Sequence, residues 1–185
     1  MQSKKNKFSL LLNDKLALVS SIFLLLIICT ALFGPLLTSD LSTKMNLRLR
    51  NLPPFSFEHG FMYIFGADAL GRSMVARLII ASQNTMFIAG SAVVISMTAG
   101  GALGLVSGYF GGRIGNLIMR LADIIMSFPS LLLAVIVLYI FEPGLINLVM
   151  VLAFTRMPVY MRTARAEVLE IRERLFVSAA ITMGA

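Results

Sequence analysis

No charged residue stands between Lys15 and Asp40, and none between Arg77 and Arg113. Uncharged runs of that length constrain the fold more than any motif in the chain. About 20 apolar residues, each rising 1.5 Å in a helix, cross the ~30 Å hydrocarbon layer of a bilayer. A helix also satisfies its own backbone where no water can. The rest of the chain agrees: 58% of its residues are hydrophobic, 14% are charged, and the mean hydropathy is +0.87. The expected fold class is all-α, a polytopic membrane helix bundle.

Leu16 to about Leu37 is expected to form the first transmembrane helix, fraying at Gly34-Pro35, with Lys4, Lys5, Lys7 and Lys15 on its N-terminal side. Lysines on that side place the N-terminus in the cytoplasm. From Asp40 to about Gln83 polar and apolar residues mix, and Lys44, Arg48, Arg50, Pro53-Pro54, Glu58 and His59 exclude a span. This segment is expected outside. Within it Gly66 and Asp68 suit a turn and a helix N-cap, and Met74, Leu78 and Ile79 suit a short interfacial helix.

A second span is expected at about Thr85 to Tyr109, where Gly100, Gly104, Gly108 and Gly112 recur every four residues. Such a stripe lets helix backbones approach closely, either at a pore-forming interface or in generic membrane packing. Gly108 to Gly112 reads as a cytoplasmic turn. The third span runs from about Leu117 to Tyr139, with a kink at Pro129 and with Arg120 and Asp123 three residues apart, spaced to form an intramembrane ion pair. Glu142-Pro143-Gly144 turns outside, and Leu145 to about Tyr160 returns inward. Arg156 then has to snorkel or point into protein. Beyond Tyr160, Ala164, Val168, Ile171 and Leu175 fall on one helical face, which reads as a membrane-surface helix with an i,i+4 pair between Glu170 and Arg174.

The chain thus divides into residues 1–39, cytoplasmic N-terminus and first span; 40–84, extracytoplasmic; 85–160, a core of three spans; and 161–185, a cytoplasmic helix. On this topology 11 Lys and Arg lie inside and 5 in the outer segment, the asymmetry expected of a cytoplasmic N-terminus. The net charge of +7 forms no basic patch interleaved with aromatics, so no nucleic-acid partner is expected. One cysteine, Cys29, and one histidine, His59, leave no intrachain disulfide and no metal site. Metalloprotease, nucleophile-elbow, Walker and paired-carboxylate patterns are all missing, so no enzyme is expected. An ion channel lacks support because no filter-like segment or acidic ring stripe occurs.

Three ordered blocks carry a family resemblance. FGADALGR resembles the G-T-D-x-x-G-R-D block of ABC importer permeases for dipeptides, oligopeptides and nickel. GLVSGYFGGRIGNLIMRLADIIMSFPSLLLA resembles that family's G-L-x-A-G-Y-x-G-G…M-R-x-x-D-x-x-x-x-F-P-x-L-L-L-A block, and RERLFVSAAITMGA resembles the start of its E-A-A-x-x-x-G coupling motif. The resemblance implies a type I ABC importer transmembrane-domain fold, in part. It implies that Ser178, Ala179, Ala180 and Gly184 belong to a short coupling helix that docks in a cleft of an ATPase subunit. It marks Gly66, Asp68, Gly71 and Arg72 as the outer block.

The implied partners are the lipid bilayer of the cytoplasmic membrane, a second homologous permease, cytoplasmic ATPases and an extracytoplasmic solute-binding protein. No cofactor belongs to the chain itself, because ATP is used by the partner. The sequence departs from the pattern at Ser178, where Glu is usual, at Ser73, where a second Asp is usual, and at Met157, where an aromatic is common. Family members continue with two further spans, so the expectation is a C-terminally truncated permease; the alternative is a non-transporting membrane scaffold.

Overall fold

The computed structural model describes residues 14–141 and 144–184. The lysines at 4, 5 and 7, the Glu142-Pro143 turn and Ala185 lie outside the described residues. Among the described residues the regular structure is helical, apart from one isolated antiparallel bridge, Ala67 to Ser73. The contacts divide the chain into two compact units that meet in sequence at Phe87 and Ile88.

In the first unit, α1 spans Lys15–Thr43. Asp14 opens it: its carboxylate accepts from the N–H groups of Leu16 and Ala17 at 3.0 and 3.3 Å, satisfying two donors that a helix start leaves free. The helix neither frays at Gly34-Pro35 nor ends near Leu37 as expected. It runs through Pro35 to Thr43, since one proline removes a single backbone donor and a membrane helix tolerates that loss. Gly34 serves another purpose: a Cβ there would lie 2.3 Å from Cγ2 of Ile79, so the missing side chain is what admits Ile79.

Residues 44–73 form no long element, only single 3-10 turns at Leu47–Leu49, Phe57–His59 and Phe61–Tyr63. The next helix, α2, is Met74–Phe110. One continuous helix therefore replaces the expected interfacial helix and separate span. The polar residues Gln83, Asn84 and Thr85 suggested a boundary, but they include no Gly or Pro, and hydrogen bonding along the helix continues through them.

The second unit holds the rest of α2 together with α3 (Gly112–Ser127), α4 (Ser130–Ile140), α5 (Leu145–Arg172) and α6 (Leu175–Thr182). The expected kinked third span is instead two helices, α3 and α4, bent by 83°. Phe128 is extended, with ψ of 133°, because a residue before proline is driven out of the α region, and Pro129, with ψ of 119°, is the non-helical residue that opens α4. Three helices, α1, α2 and α5, are long and apolar enough to cross a membrane, and a fourth crossing exists only if the bent pair counts as one. The fourth expected span and the expected surface helix are a single helix, α5, which contains Pro158 buried in its packing. The protein is thus a multi-pass helical membrane protein, and α5 packs on α3 and α4.

Candidate functional site

Residues 44–73 are held by their main chain. Asn46 N–H donates to Leu70 O, Asn51 N–H to Asp68 O, Ala67 N–H to Leu52 O and Phe55 N–H to Ile64 O, at 2.7–3.1 Å. Gly66 and Gly71 both have φ of +75°. Their Cβ atoms would lie 2.3 Å from Leu52 O and 1.7 Å from Asn46 O, so glycine is required twice over, by conformation and by space.

Asp68 anchors this fold. Its Oδ1 accepts from the N–H groups of Leu70 and Arg72 at 2.9 Å, and its Oδ2 from Arg72 Nε and Arg77 Nη1 at 2.8 Å. Burial alone would raise its pKa. The backbone and side-chain hydrogen bonds from Arg72, the Leu70 N–H and the Arg72 charge outweigh that and hold it at about 2. Of the expected residues, Asp68, Gly71 and Arg72 therefore share one turn, with Arg77 as a further member that no motif signalled, while Gly66 stands apart from it against Leu52 O.

One expectation about Asp68 is corrected. It caps its own turn rather than a helix. The cap of α2 is Ser73, whose hydroxyl accepts from Ala76 N–H at 3.2 Å and donates to Met62 O. The left-handed Gly71 delays the helix start to Met74.

In the second unit the glycine stripe faces α5. A Cβ at Gly100 would lie 2.6 Å from Met157 O, one at Gly104 2.5 Å from Met161 O, and one at Gly108 2.7 Å from Val168 Cβ. Ala164 and Val168, read from sequence as part of a membrane-facing stripe, instead cover these glycines. Gly112 leaves the stripe: it begins α3 with φ of +51° and has open space where a Cβ would stand. The left-handed Gly111 ends the α2 register before it.

The expected Arg120–Asp123 pair does not form. Asp123 is paired with Arg162 of α5, Nη2 to Oδ1 at 2.5 Å. A partner three residues away on one helix meets competition from a guanidinium reaching over from a packed neighbour, and here the neighbour wins. Two further arginines of α5 bind main chain: Arg165 Nη1 donates to Gly115 O at 3.0 Å, and Arg172 Nη1 donates to Gly108 O and Tyr109 O at 3.1 Å. Arg172 thereby puts a cation on the C-terminal carbonyls of α2, where the helix dipole favours it. Sequence reasoning saw these arginines only as the polar face of a helix. Their spacing of three and seven residues, with the glycine turn upstream, was the available signal. The Glu170–Arg174 pair forms as expected, at 2.8 Å.

The chain leaves α5 at Glu173 and Arg174 and turns into the eight-residue α6. Ser178, Ala179 and Ala180 lie on α6, while Gly184 follows it with φ of +93° and terminates it rather than belonging to it. Leu175, Phe176, Ile181 and Met183 are 62–89% exposed, a high apolar exposure for so short an element. Among the described residues no group of His, Cys, Asp or Glu is arranged to hold a metal.

A long glycine-faced helix, a broken helix pair and a short helix hung from an arginine-pinned partner define a polytopic helical membrane protein. Residues 100–185 match the model of the binding-protein-dependent transport system inner membrane component, and residues 8–54 that of the N-terminal transmembrane domain of oligopeptide transport permease C. The chain belongs to this family of transport permeases. It is 40% identical over 174 residues to the di/tripeptide transport system permease protein DppC of Pseudomonas aeruginosa (strain UCBPP-PA14), covering 94% of this chain and 57% of that one. It is 34% identical to the dipeptide transport system permease protein DppC of Haemophilus influenzae, covering 91% and 58%, and 32% identical to the oligopeptide transport system permease protein OppC of Bacillus subtilis, covering 94% and 55%. The chain spans somewhat more than half the length of these relatives.

Proposed function

We propose that this chain works in the permease of an ATP-driven importer that carries peptides across the cytoplasmic membrane, with its N-terminus in the cytoplasm. In this reading a second homologous permease completes the pathway and a solute-binding protein delivers the peptide. Separate ATPase subunits bind and hydrolyse ATP, so the chain itself performs no hydrolysis. Peptide comes before nickel as cargo because the relatives named above carry peptide names.

The observation that carries the proposal is α6. A short helix with small residues Ser178, Ala179 and Ala180 and exposed Leu175, Phe176 and Ile181 has the shape and chemistry to enter a cleft of another protein. Its mount on α5, fixed to α2 and α3 through Arg162, Arg165 and Arg172, suits it to pass a displacement into the membrane helices rather than absorb it. Alternating access then follows from the movement of packed helices about the substrate path.

The test combines uptake with cross-linking. Cells carrying the complete locus should accumulate a labelled dipeptide in an ATP-dependent way, and a cysteine at Ser178 should cross-link to an ATPase subunit with a yield that changes on ATP binding. Uptake that persists without any ATPase, or an α6 that cross-links only to lipid in a transporting complex, would sink the proposal.

A further inference from the structure

Four arginines lie on α5, and three of them have partners: Arg162 on Asp123, Arg165 on Gly115 O and Arg172 on Gly108 O and Tyr109 O. Arg156 makes no ion pair or hydrogen bond among the described residues and is exposed. It is also the deepest of the four. Eleven positions beyond Leu145 correspond to about 16 Å of helical rise, roughly half of a ~30 Å hydrocarbon layer. A charge at that depth is costly against lipid, and membrane proteins keep one there when it faces a cavity and acts on something in it.

Arg156 does line a cavity. With Met126, Phe128, Pro129, Ser130 and Thr155 it borders a space of about 330 Å³, within the roughly 300–1,000 Å³ range of small-molecule sites. The extended Phe128-Pro129 and the 83° turn of α4 away from α3 open this space beside α5. No acidic residue lines it. The Thr155 hydroxyl is already spent on Leu152 O, whereas the Ser130 hydroxyl has no partner among the described residues. Apolar walls, one hydroxyl and one uncompensated guanidinium select an organic anion, and a planar guanidinium matches a carboxylate through two parallel hydrogen bonds.

We infer that Arg156, with Ser130, forms a carboxylate-binding subsite at the α3–α4 break, which takes the C-terminal carboxylate of a peptide in transit. This rests on the peptide-importer reading for its choice of carboxylate. Arg156 binds by charge and fork together, so Arg156→Lys retains part of the affinity and Arg156→Gln little of it.

The test uses the complete transporter, purified with its ATPases and partner permease but without the binding protein, so that selectivity upstream does not intervene. A photoreactive tripeptide with a free C-terminus is irradiated with it, and labelled fragments covering residues 125–130 and 152–160 are mapped by mass spectrometry. Labelling there should fall at least tenfold in Arg156→Gln and less in Arg156→Lys, and the C-terminal amide should compete at least tenfold more weakly than the free acid. Equal labelling in wild type and Arg156→Gln, or equal competition by acid and amide, overturns the inference and leaves Arg156 to a lipid headgroup or to structure. Uptake by the wild-type transporter with its binding protein present separates the two failures. Transport of peptide with unchanged Arg156→Gln labelling sinks only the subsite, whereas no peptide transport at all sinks the functional reading beneath it.

Discussion

Residues 44–73 and the α2–α5 contact both depend on glycine, yet for different reasons. In the first, Gly66 and Gly71 stand in left-handed conformations hard against carbonyl oxygens of distant loop residues. In the second, Gly100, Gly104 and Gly108 are ordinary helical residues whose missing side chains admit a neighbouring helix. One region is specified by backbone dihedrals and main-chain hydrogen bonds around a single carboxylate, the other by side-chain size and by arginines that reach carbonyls. A rigid loop and a tunable helix contact should therefore fail differently under the same substitution.

The largest expected effect is at Gly71. Gly71→Ala meets Asn46 O at 1.7 Å with φ at +75°, and strain plus displaced backbone should cost about 3 kcal/mol or more, read as loss of folded protein in a detergent thermal-stability assay. If Gly71→Ala were neutral, the account of this loop as backbone-specified would be wrong. Gly104→Ala comes next, at about 1–3 kcal/mol, because Met161 O and Ala164 Cβ stand 2.5 and 2.7 Å away. Gly101→Ala on the same helix, with open space, should be tolerated, and a matching loss at both positions would break the idea of a one-sided contact.

Asp68→Asn should cost about 2 kcal/mol by removing a charged acceptor from two guanidinium groups and two backbone N–H groups. Its pH dependence has a fixed sign. The folded carboxyl titrates at about 2, whereas an unfolded aspartate titrates near 3.9. The stabilisation is therefore complete above about pH 4 and lost as pH falls toward 2. In Asp68→Asn that part of the acid sensitivity should vanish. The smallest effect is expected for Arg172→Ala, about 0.5–1 kcal/mol from the exposed end of α2, seen as faster amide exchange at Gly111, whose N–H bonds Ser107 O, and not at Ala76.

What the sequence made legible follows the same division. Uncharged runs announced the membrane helices, and three ordered blocks announced the family, because hydrophobic length and motif order are local properties. Part of the outer block was local enough to read: Asp68, Gly71 and Arg72 share one turn. Element boundaries were not, since a boundary was expected near Gln83 to Thr85 and fraying at Gly34-Pro35, yet helix hydrogen bonding continues through both. Asp123 shows the deeper limit. Its nearest basic residue in sequence was Arg120, but its partner is 39 residues away on α5, a choice made by helix packing that no spacing rule contains.

Ser73 carries a consequence for exchanging parts between relatives. Its one hydroxyl both caps α2 and gives its proton to Met62 O, and it is fully buried. An ionised carboxylate at this place could still cap the helix but has no proton to offer the carbonyl. Position 62 contributes only its main-chain carbonyl, which any residue supplies, so both bonds travel with Ser73: a chimera that keeps serine there keeps the cap and the bond to residue 62, whereas one that brings in a carboxylate keeps the cap alone.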